Sequence, residues 1–425
     1  MKRIYFSIIT FVLVLLSGSI FAQTVNISAE VRPRFEYRHG YKTLIPDDYN
    51  PASFISQRTR LNAFYANSNF KVKLSLQDVR VWGDVGQLNK SDVYGTSIHE
   101  AWGEVLFSEK FSVKFGRQEI IYDDHRIFGS VGWAQQARSH DAAIIKFKPN
   151  KKHKVDIGLA YNANGETLYR TDYAVNSYKT FQYGWYHGTF GKFGVSFLVL
   201  NNGMAYIDDS DPAKDVEKIA YSQTIGPRIT YKGDKVKANA AFYYQGGKNK
   251  SNVELSAIYF GGDVSFHLIK GFSFGIGTEY LSGTATNDVG NGKDKSFAPL
   301  YGTNHKFNGW MDYFYVGNHG GNVGLTDIFI PLKYKYDKWL FMLIPHYFMS
   351  AATVSDATKD YSNGLGTEID ITVKYSLSKA VQFQAGYSQM FATETMQVVK
   401  GGNYKNTNNW AWVMITFKPT FFQKK

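Results

Sequence analysis

The sequence contains no cysteine. That excludes a disulfide-stapled secreted module, a thiolate metal site and a thiol nucleophile. Proline is scarce, at 10 of 425 residues. Beyond the first 22 residues, no run reaches the roughly 18 consecutive apolar residues that a transmembrane helix needs. Acidic residues are the scarcer charge, 36 against 48 Lys plus Arg. In abundance are 30 Tyr, 32 Phe, 8 Trp and 39 Gly, a composition that favours strands and tight turns over helix interiors. This length usually implies two or three domains, although a closed barrel absorbs it in one.

Met1-Lys2-Arg3 is a short basic start, Ile4 to Leu16 is almost unbroken apolar sequence, and small residues lead to Ala22. This predicts a secretory signal peptide over residues 1–22 and a single mature domain over 23–425. Losing Lys2 and Arg3 takes the formal charge from +12 to +10. The mature chain is then either a soluble exported protein or an outer-membrane barrel, whose strands are too amphipathic to show as hydropathy peaks.

Alternation favours the barrel. From Thr24 to Arg38, Val25, Ile27, Ala29, Val31, Pro33, Phe35 and Tyr37 share one face, while Glu30, Arg32, Arg34, Glu36 and Arg38 share the other. The pattern recurs around Val72, Ile157, Phe242, Ile328 and Ile371. A sandwich also alternates, so the connections decide. Short turns such as Asn67-Ser68-Asn69, Lys270-Gly271 and Asp337-Lys338 alternate with long polar segments, among them His39–Ser53, Ile120–Gln136, Asn202–Glu217 and Gly283–Gly324. Tight turns at one rim and long loops at the other predict an all-β, antiparallel up-and-down transmembrane barrel of about 18 strands. Asp78 to Trp82 interrupts its strand's alternation, which suggests a bulge there.

With the apolar face toward lipid, the polar face lines the lumen. Arg32, Arg34 and Arg38 then share one wall with Arg58 and Arg60, Arg228 points inward from another strand, and Lys71 and Lys73 lie near the short-turn rim. Guanidinium stays charged and presents a fork of donors that matches a carboxylate. Such a row concentrates anions between low-dielectric walls. The competing reading is structural, because Glu30, Glu36, Glu100, Glu104, Asp141, Glu254, Asp263, Glu279, Glu368 and Asp370 are also expected in the lumen and would pair with the arginines.

Gly116-Arg117-Gln118-Glu119, then Tyr122-Asp123-Asp124-His125-Arg126, Gly129, Trp133 and Arg138-Ser139-His140-Asp141 resemble the succession found in the alginate-export family of outer-membrane porins. The stretch Pro299–Asn318 is similar to that family's long external loop. The resemblance implies an 18-stranded, cofactor-free barrel. It also implies that Arg117, Arg126 and Arg138, with Glu119 and Asp141 as counter-charges, belong to the pore lining or constriction. Otherwise Arg117 and Asp141 only hold the base of an infolded loop. His125 and His140 depart from the expected pattern, which leaves the transported polymer open.

Catalytic readings fail on spacing. His99-Glu100 lacks the second His of a zincin helix, and Ser139-His140-Asp141 are neighbours whose side chains alternate rather than converge. Nucleic acid is excluded by compartment and by charge distributed along a lumen. Asp208, Asp209 and Asp211 form a weak candidate cation loop, more simply read as solvated. Two classes of function remain. One is passive, anion-selective diffusion of an acidic polysaccharide, oligosaccharide or smaller carboxylate. The other is a barrel whose loops serve adhesion or ligand binding, with Gly283–Gly324 either a plug or an external surface. The expected partners are outer-membrane lipid and the solute; no periplasmic partner is indicated.

Overall fold

The computed structural model describes residues 23–88, 95–169, 171–173, 178–208, 216–303, 305–319 and 322–424. The predicted signal peptide lies outside them, as do Asp209 and Asp211.

The chain runs through β1 (Thr24–His39), β2 (Ala52–Ala66), β3 (Phe70–Val81), β4 (Ser97–Leu106) and β5 (Phe111–Gln118). It continues with β6 (His140–Phe147), β7 (His153–Tyr161), β8 (Tyr178–Phe190), β9 (Phe193–Asp208) and β10 (Val216–Lys232). Next come β11 (Val236–Lys248), β12 (Glu254–Ile269), β13 (Phe272–Leu281), β14 (Leu325–Phe329) and β15 (Leu332–Tyr336). The last are β16 (Trp339–Met349), β17 (Gly364–Ser376), β18 (Val381–Ala392), β19 (Asn408–Phe417) and β20 (Thr420–Lys424). One short helix, α1 (Glu394–Lys400), sits in a loop; the Thr393 side chain caps it and Gly401 ends it at φ 72°.

Apart from β14/β15 and β19/β20, each strand pairs antiparallel with the next, and β1 closes the sheet against β19 and β20. The twenty segments make eighteen passes, because β14/β15 and β19/β20 are single strands each interrupted once. The interruptions contain Pro331 and Pro419, which have no N–H for the ladder. Their carbonyls still accept, from Gly275 N at 2.9 Å and from Ala29 N at 3.0 Å. The fold is therefore a closed antiparallel barrel of 18 strands.

Burial is inverted relative to a soluble protein. Phe35, Leu61, Leu74, Ile157, Phe242 and Ile371 are exposed, while their neighbours Arg34, Glu36, Ser75, Asp156, Tyr243 and Asp370 are buried. A belt of apolar side chains thus faces lipid, and closure satisfies the backbone. The strands outlast two sequence expectations. β9 and β10 shorten the predicted Asn202–Glu217 loop by extending to Asp208 and from Val216. No bulge separates β2 from β3 at Asp78–Trp82; the register there is continuous, and the irregularity lies against β4 at Ser75/Leu76. Alternation changes character at Asp78 because the outward positions Gln57, Thr59, Asp78 and Arg80 stand at the loop end of β2 and β3, where polar side chains face outward.

Two long connections turn into the lumen. Residues 119–139 and 296–319 contribute Ile127, Phe128, Phe297, Tyr301, Met311 and Tyr313, all buried, to a core inside the barrel with Phe181, Tyr183, Leu200 and Tyr259 of the wall.

Candidate functional site

The first infolded loop is held from two opposite walls. On the β1–β2 side, Arg32 donates to the carbonyls of Gly132 at 2.8 Å and Trp133 at 3.0 Å and to Gln135 Oε1 at 2.8 Å. Arg34 donates to Trp133 O at 2.7 Å, and its guanidinium lies 4.1 Å from the Trp133 ring. Arg58 bonds Glu30 at 2.5 Å and reaches Gln135 O at 3.4 Å. On the far side, Asp124 meets Arg228 at 3.1 Å, Asp123 accepts from Trp185 Nε1 at 3.0 Å, and the Tyr122 hydroxyl donates to Asp156 at 2.9 Å. The loop therefore spans the lumen and narrows it.

The second loop docks on an acidic wall. Trp310 N donates to Asp370 at 3.1 Å, Met311 N to Glu368 at 2.8 Å, and the Asn308 amide to Glu279 at 2.7 Å. His346 bridges Asp327 at 2.9 Å and Asp370 at 3.7 Å. Arg126 links the two loops, lying 3.3 Å from Glu279 and bonding Asn308 at 3.1 Å. Arg138 donates to Gly302 O at 2.8 Å; burial brings its guanidinium down to about 10, still charged at neutral pH. Burial also lowers Lys306, whose ammonium reaches the Asp124 carbonyl at 2.5 Å.

The sequence-predicted cations thus separate by environment. Arg32, Arg34, Arg58, Arg126, Arg138 and Arg228 are occupied in holding loops. Arg60 bonds Gln77 at 2.7 Å and stands 4.0 Å from Glu119, which meets His99 at 2.8 Å. Lys71 and Lys73 face Glu104 and Glu100 in the short-turn half. Arg38 is the most open of the β1–β2 arginines, with its side chain one-third exposed.

Arg117 and Asp141 correct the sequence reading. Directly opposite each other in register and 2.8 Å apart, they share their face with the exposed Phe115 and Ile145 and stand on the outside of the barrel at the loop end. Strand parity decides this, because residue 117 has the parity of Phe115 rather than of the buried Lys114 and Gln118. Gly116, at φ 112°, lets the strands approach where a Cβ would lie 2.3 Å from Ala101 O.

Sequence reasoning named no pore role for the lysines of the short-turn half, although alternation sets Lys154, Lys237, Lys333, Lys335 and Lys374 on the polar faces of their strands. Lys146, Lys154, Lys232, Lys237, Lys333, Lys335 and Lys374 alternate with lipid-facing Ile145, Ile157, Ile229, Phe242, Tyr334, Tyr336 and Ile371, so all point inward. Applying parity to every strand finds them. Inward acids of the same half include Glu100, Glu104, Asp156 and Asp263, and Lys146 pairs with Glu104 at 3.3 Å.

No catalytic or metal centre forms among the described residues. No three His or acidic side chains converge as a metal site, and Asp208 pairs with Lys218. Ser139 gives its proton to His99 O at 2.5 Å, while His140 faces Tyr178 at 3.0 Å.

No protein-family model and no curated protein sequence matches this chain. Solved structures do. A BenF-like porin from Pseudomonas fluorescens superposes with a TM-score of 0.62 at 12% identity, over 93% of this chain and 99% of that one. OccAB4 of Acinetobacter baumannii gives 0.61 at 11%, over 95% and 100%. OccK5 (OpdH) of Pseudomonas aeruginosa gives 0.61 at 11%, over 94% and 98%. These overturn the resemblance to the alginate-export family, because the similar structures are Occ-type and BenF-like porins. The motifs that suggested it have a structural reason here. Gly116, Tyr122, Asp124, Trp133 and Arg138 build the base and anchors of an infolded loop, which specifies no polymer.

Proposed function

We propose that the chain is an outer-membrane channel for passive, anion-selective diffusion of small acidic solutes. The observation that carries this is the inward lysine surplus of the short-turn half, where Lys154, Lys237, Lys333, Lys335 and Lys374 face the lumen without a carboxylate in ion-pair distance among the described residues, whereas Lys146 pairs with Glu104 at 3.3 Å. Cations lining a low-dielectric tube raise the local anion concentration and hold each anion weakly enough to pass on. The arginine-bound loop above them narrows the route. The porin fold of the similar structures supports a diffusion pathway, and residues 1–22 are read as the export signal.

Loop-mediated adhesion loses its strongest candidate, since Phe297, Tyr301, Trp310, Tyr313 and Phe314 are buried inside the barrel. In planar bilayers under a potassium chloride gradient, the reversal potential is expected on the anion-selective side. Replacing Lys154, Lys237 and Lys333 together with Gln is expected to move it toward zero. A cation-selective or non-conducting wild type overturns the proposal.

A further inference from the structure

A cavity of about 200 Å³ lies in the barrel wall at the loop end, between the tips of β5 and β6, the connection after β7 and the first residue of β8. Arg117 and Asp141, both on the outside of the barrel, form its outer side. Tyr178 and Tyr301, both buried, close its inner end. The cavity therefore opens on the membrane side of the wall, off the path of a solute through the lumen. Below it, on the same outer face, run the exposed side chains of Phe115 on β5, Ile145 on β6 and Leu159 on β7. Arg117 thus stands where an apolar, lipid-facing strip meets the polar rim.

The donors around this cavity are only partly used. Arg117 gives Nε to Ile98 O at 3.0 Å and Nη1 to Asp141 at 2.8 Å, which leaves Nη2 without a protein acceptor among the described residues. Arg138 gives Nη1 to Gly302 O at 2.8 Å and, among the same residues, has no carboxylate in ion-pair distance. Asn162 uses one amide hydrogen on Tyr178 O at 2.9 Å, and its amide carries a second. Asp141 is the one acid in the lining among the described residues, and its charge is matched by Arg117 alone. Two guanidinium groups against one carboxylate leave the notch with a positive excess.

We propose that this notch binds a phosphate group of an outer-leaflet glycolipid, with Arg117 and Arg138 holding the phosphate oxygens, Asn162 donating a further hydrogen bond, and the acyl chains lying along Phe115, Ile145 and Leu159. A phosphate presents oxygens in several directions, so it can accept from guanidinium and amide groups that converge from separate segments. The volume suits one such group rather than a whole drug-sized solute. Between protein walls the attraction of guanidinium for phosphate is stronger than in open water. The apolar strip orients the lipid without adding much affinity, because acyl chains leave hydrocarbon to meet equally apolar side chains. Preference for this lipid therefore rests on the phosphate.

The test is native mass spectrometry of the full-length protein in detergent, titrated with bisphosphorylated lipid A, with the same lipid stripped of its phosphates, and with inorganic phosphate as competitor. EDTA is present throughout, so that no divalent ion bridges a phosphate to Asp141. The phosphorylated lipid is expected to bind at least about tenfold more tightly than the stripped one, the scale of one charge-assisted contact. Arg117→Gln should weaken it by about tenfold. Asp141→Asn should tighten it several-fold, because the variant removes the one carboxylate beside the phosphate and frees Nη1 of Arg117. A purely structural Arg117–Asp141 pair predicts the opposite for D141N. Lys192→Gln, in an exposed turn at the other rim, should change nothing. Equal binding of the stripped lipid, an unchanged constant in R117Q, weaker binding in D141N or an equal loss in K192Q overturns the site. Competition by inorganic phosphate at concentrations equal to the lipid overturns the lipid as its occupant. The measurement involves no ion flow, so its outcome is independent of the channel reading.

Discussion

His319 shows how one residue ties loop docking to pH. It is buried in the second infolded loop, and its Nε2 donates to Phe314 O at 2.9 Å. Burial drives its imidazole down to about 3, with Arg126 and Lys400 adding to the effect. The docked loop therefore holds a neutral ring, whereas the undocked ring takes a proton near its ordinary value of about 6.5. Between those values the undocked state binds the extra proton, so docking is fully stable above about pH 6.5 and weakens by up to about 1.4 kcal/mol per unit below it. Lowering the pH from 7 to 5 is expected to increase protease cleavage within residues 296–319, and His319→Gln should flatten that dependence. Equal cleavage at both pH values would reject this role. That His319 lies in a long polar loop was legible in the sequence; its burial was not, because nothing local marks a loop that folds into its own barrel.

Among the elements, the infolded loops are where chain order and spatial order part company. Strand parity alone placed Arg32 and Arg34 in the lumen, but their partners at Gly132, Trp133 and Gln135 are about a hundred residues away along the chain. What looked like a free anion row is largely a clamp on backbone carbonyls. Arg32→Ala leaves several buried acceptors unpaired, at a cost of about 3 kcal/mol or more. We expect larger and noisier single-channel conductance as the loop loosens. Arg32→Lys should not restore the quiet channel, since an ammonium lacks the planar fork that reaches several acceptors at once. Quiet wild-type conductance in R32A would show that the loop is held elsewhere. The same parity argument put Arg117 and Asp141 outside, where the motif resemblance had suggested the constriction.

For the whole molecule, closure is completed at the seam where β1 meets two segments. β19 pairs with the loop-end half, from Val31↔Phe417 to His39↔Asn409, and β20 with the turn-end half, from Ile27↔Phe422 to Val25↔Lys424. Truncation after Phe417 would leave the turn-end half of β1 as an open edge in lipid, where unpaired backbone groups are costly. The truncated barrel is expected to lose heat-modifiable migration on denaturing gels, while Phe422→Ala should lower the temperature of that transition without abolishing it. A truncated protein that migrates like the wild type would mean that β20 is dispensable for closure.

The linear order of residues was enough to specify the barrel, its approximate strand number, the lipid and lumen faces and the mild average hydropathy, because a period of two and the lengths of the connections are local properties of the chain. It also placed most cations on the inward face. Folding in three dimensions settled which of them are paired. Arg32, Arg34 and Arg58 are taken up by an infolded loop, Arg126 by the acidic wall, Arg38 by Glu36, and Lys71, Lys73 and Lys146 by Glu100 and Glu104, while Lys154, Lys237, Lys333, Lys335 and Lys374 have no carboxylate in ion-pair distance among the described residues. Whether a charge is occupied depends on groups brought within about 3 Å by the closure of the sheet and the turning of two loops into its lumen, and no pattern along the chain records those meetings.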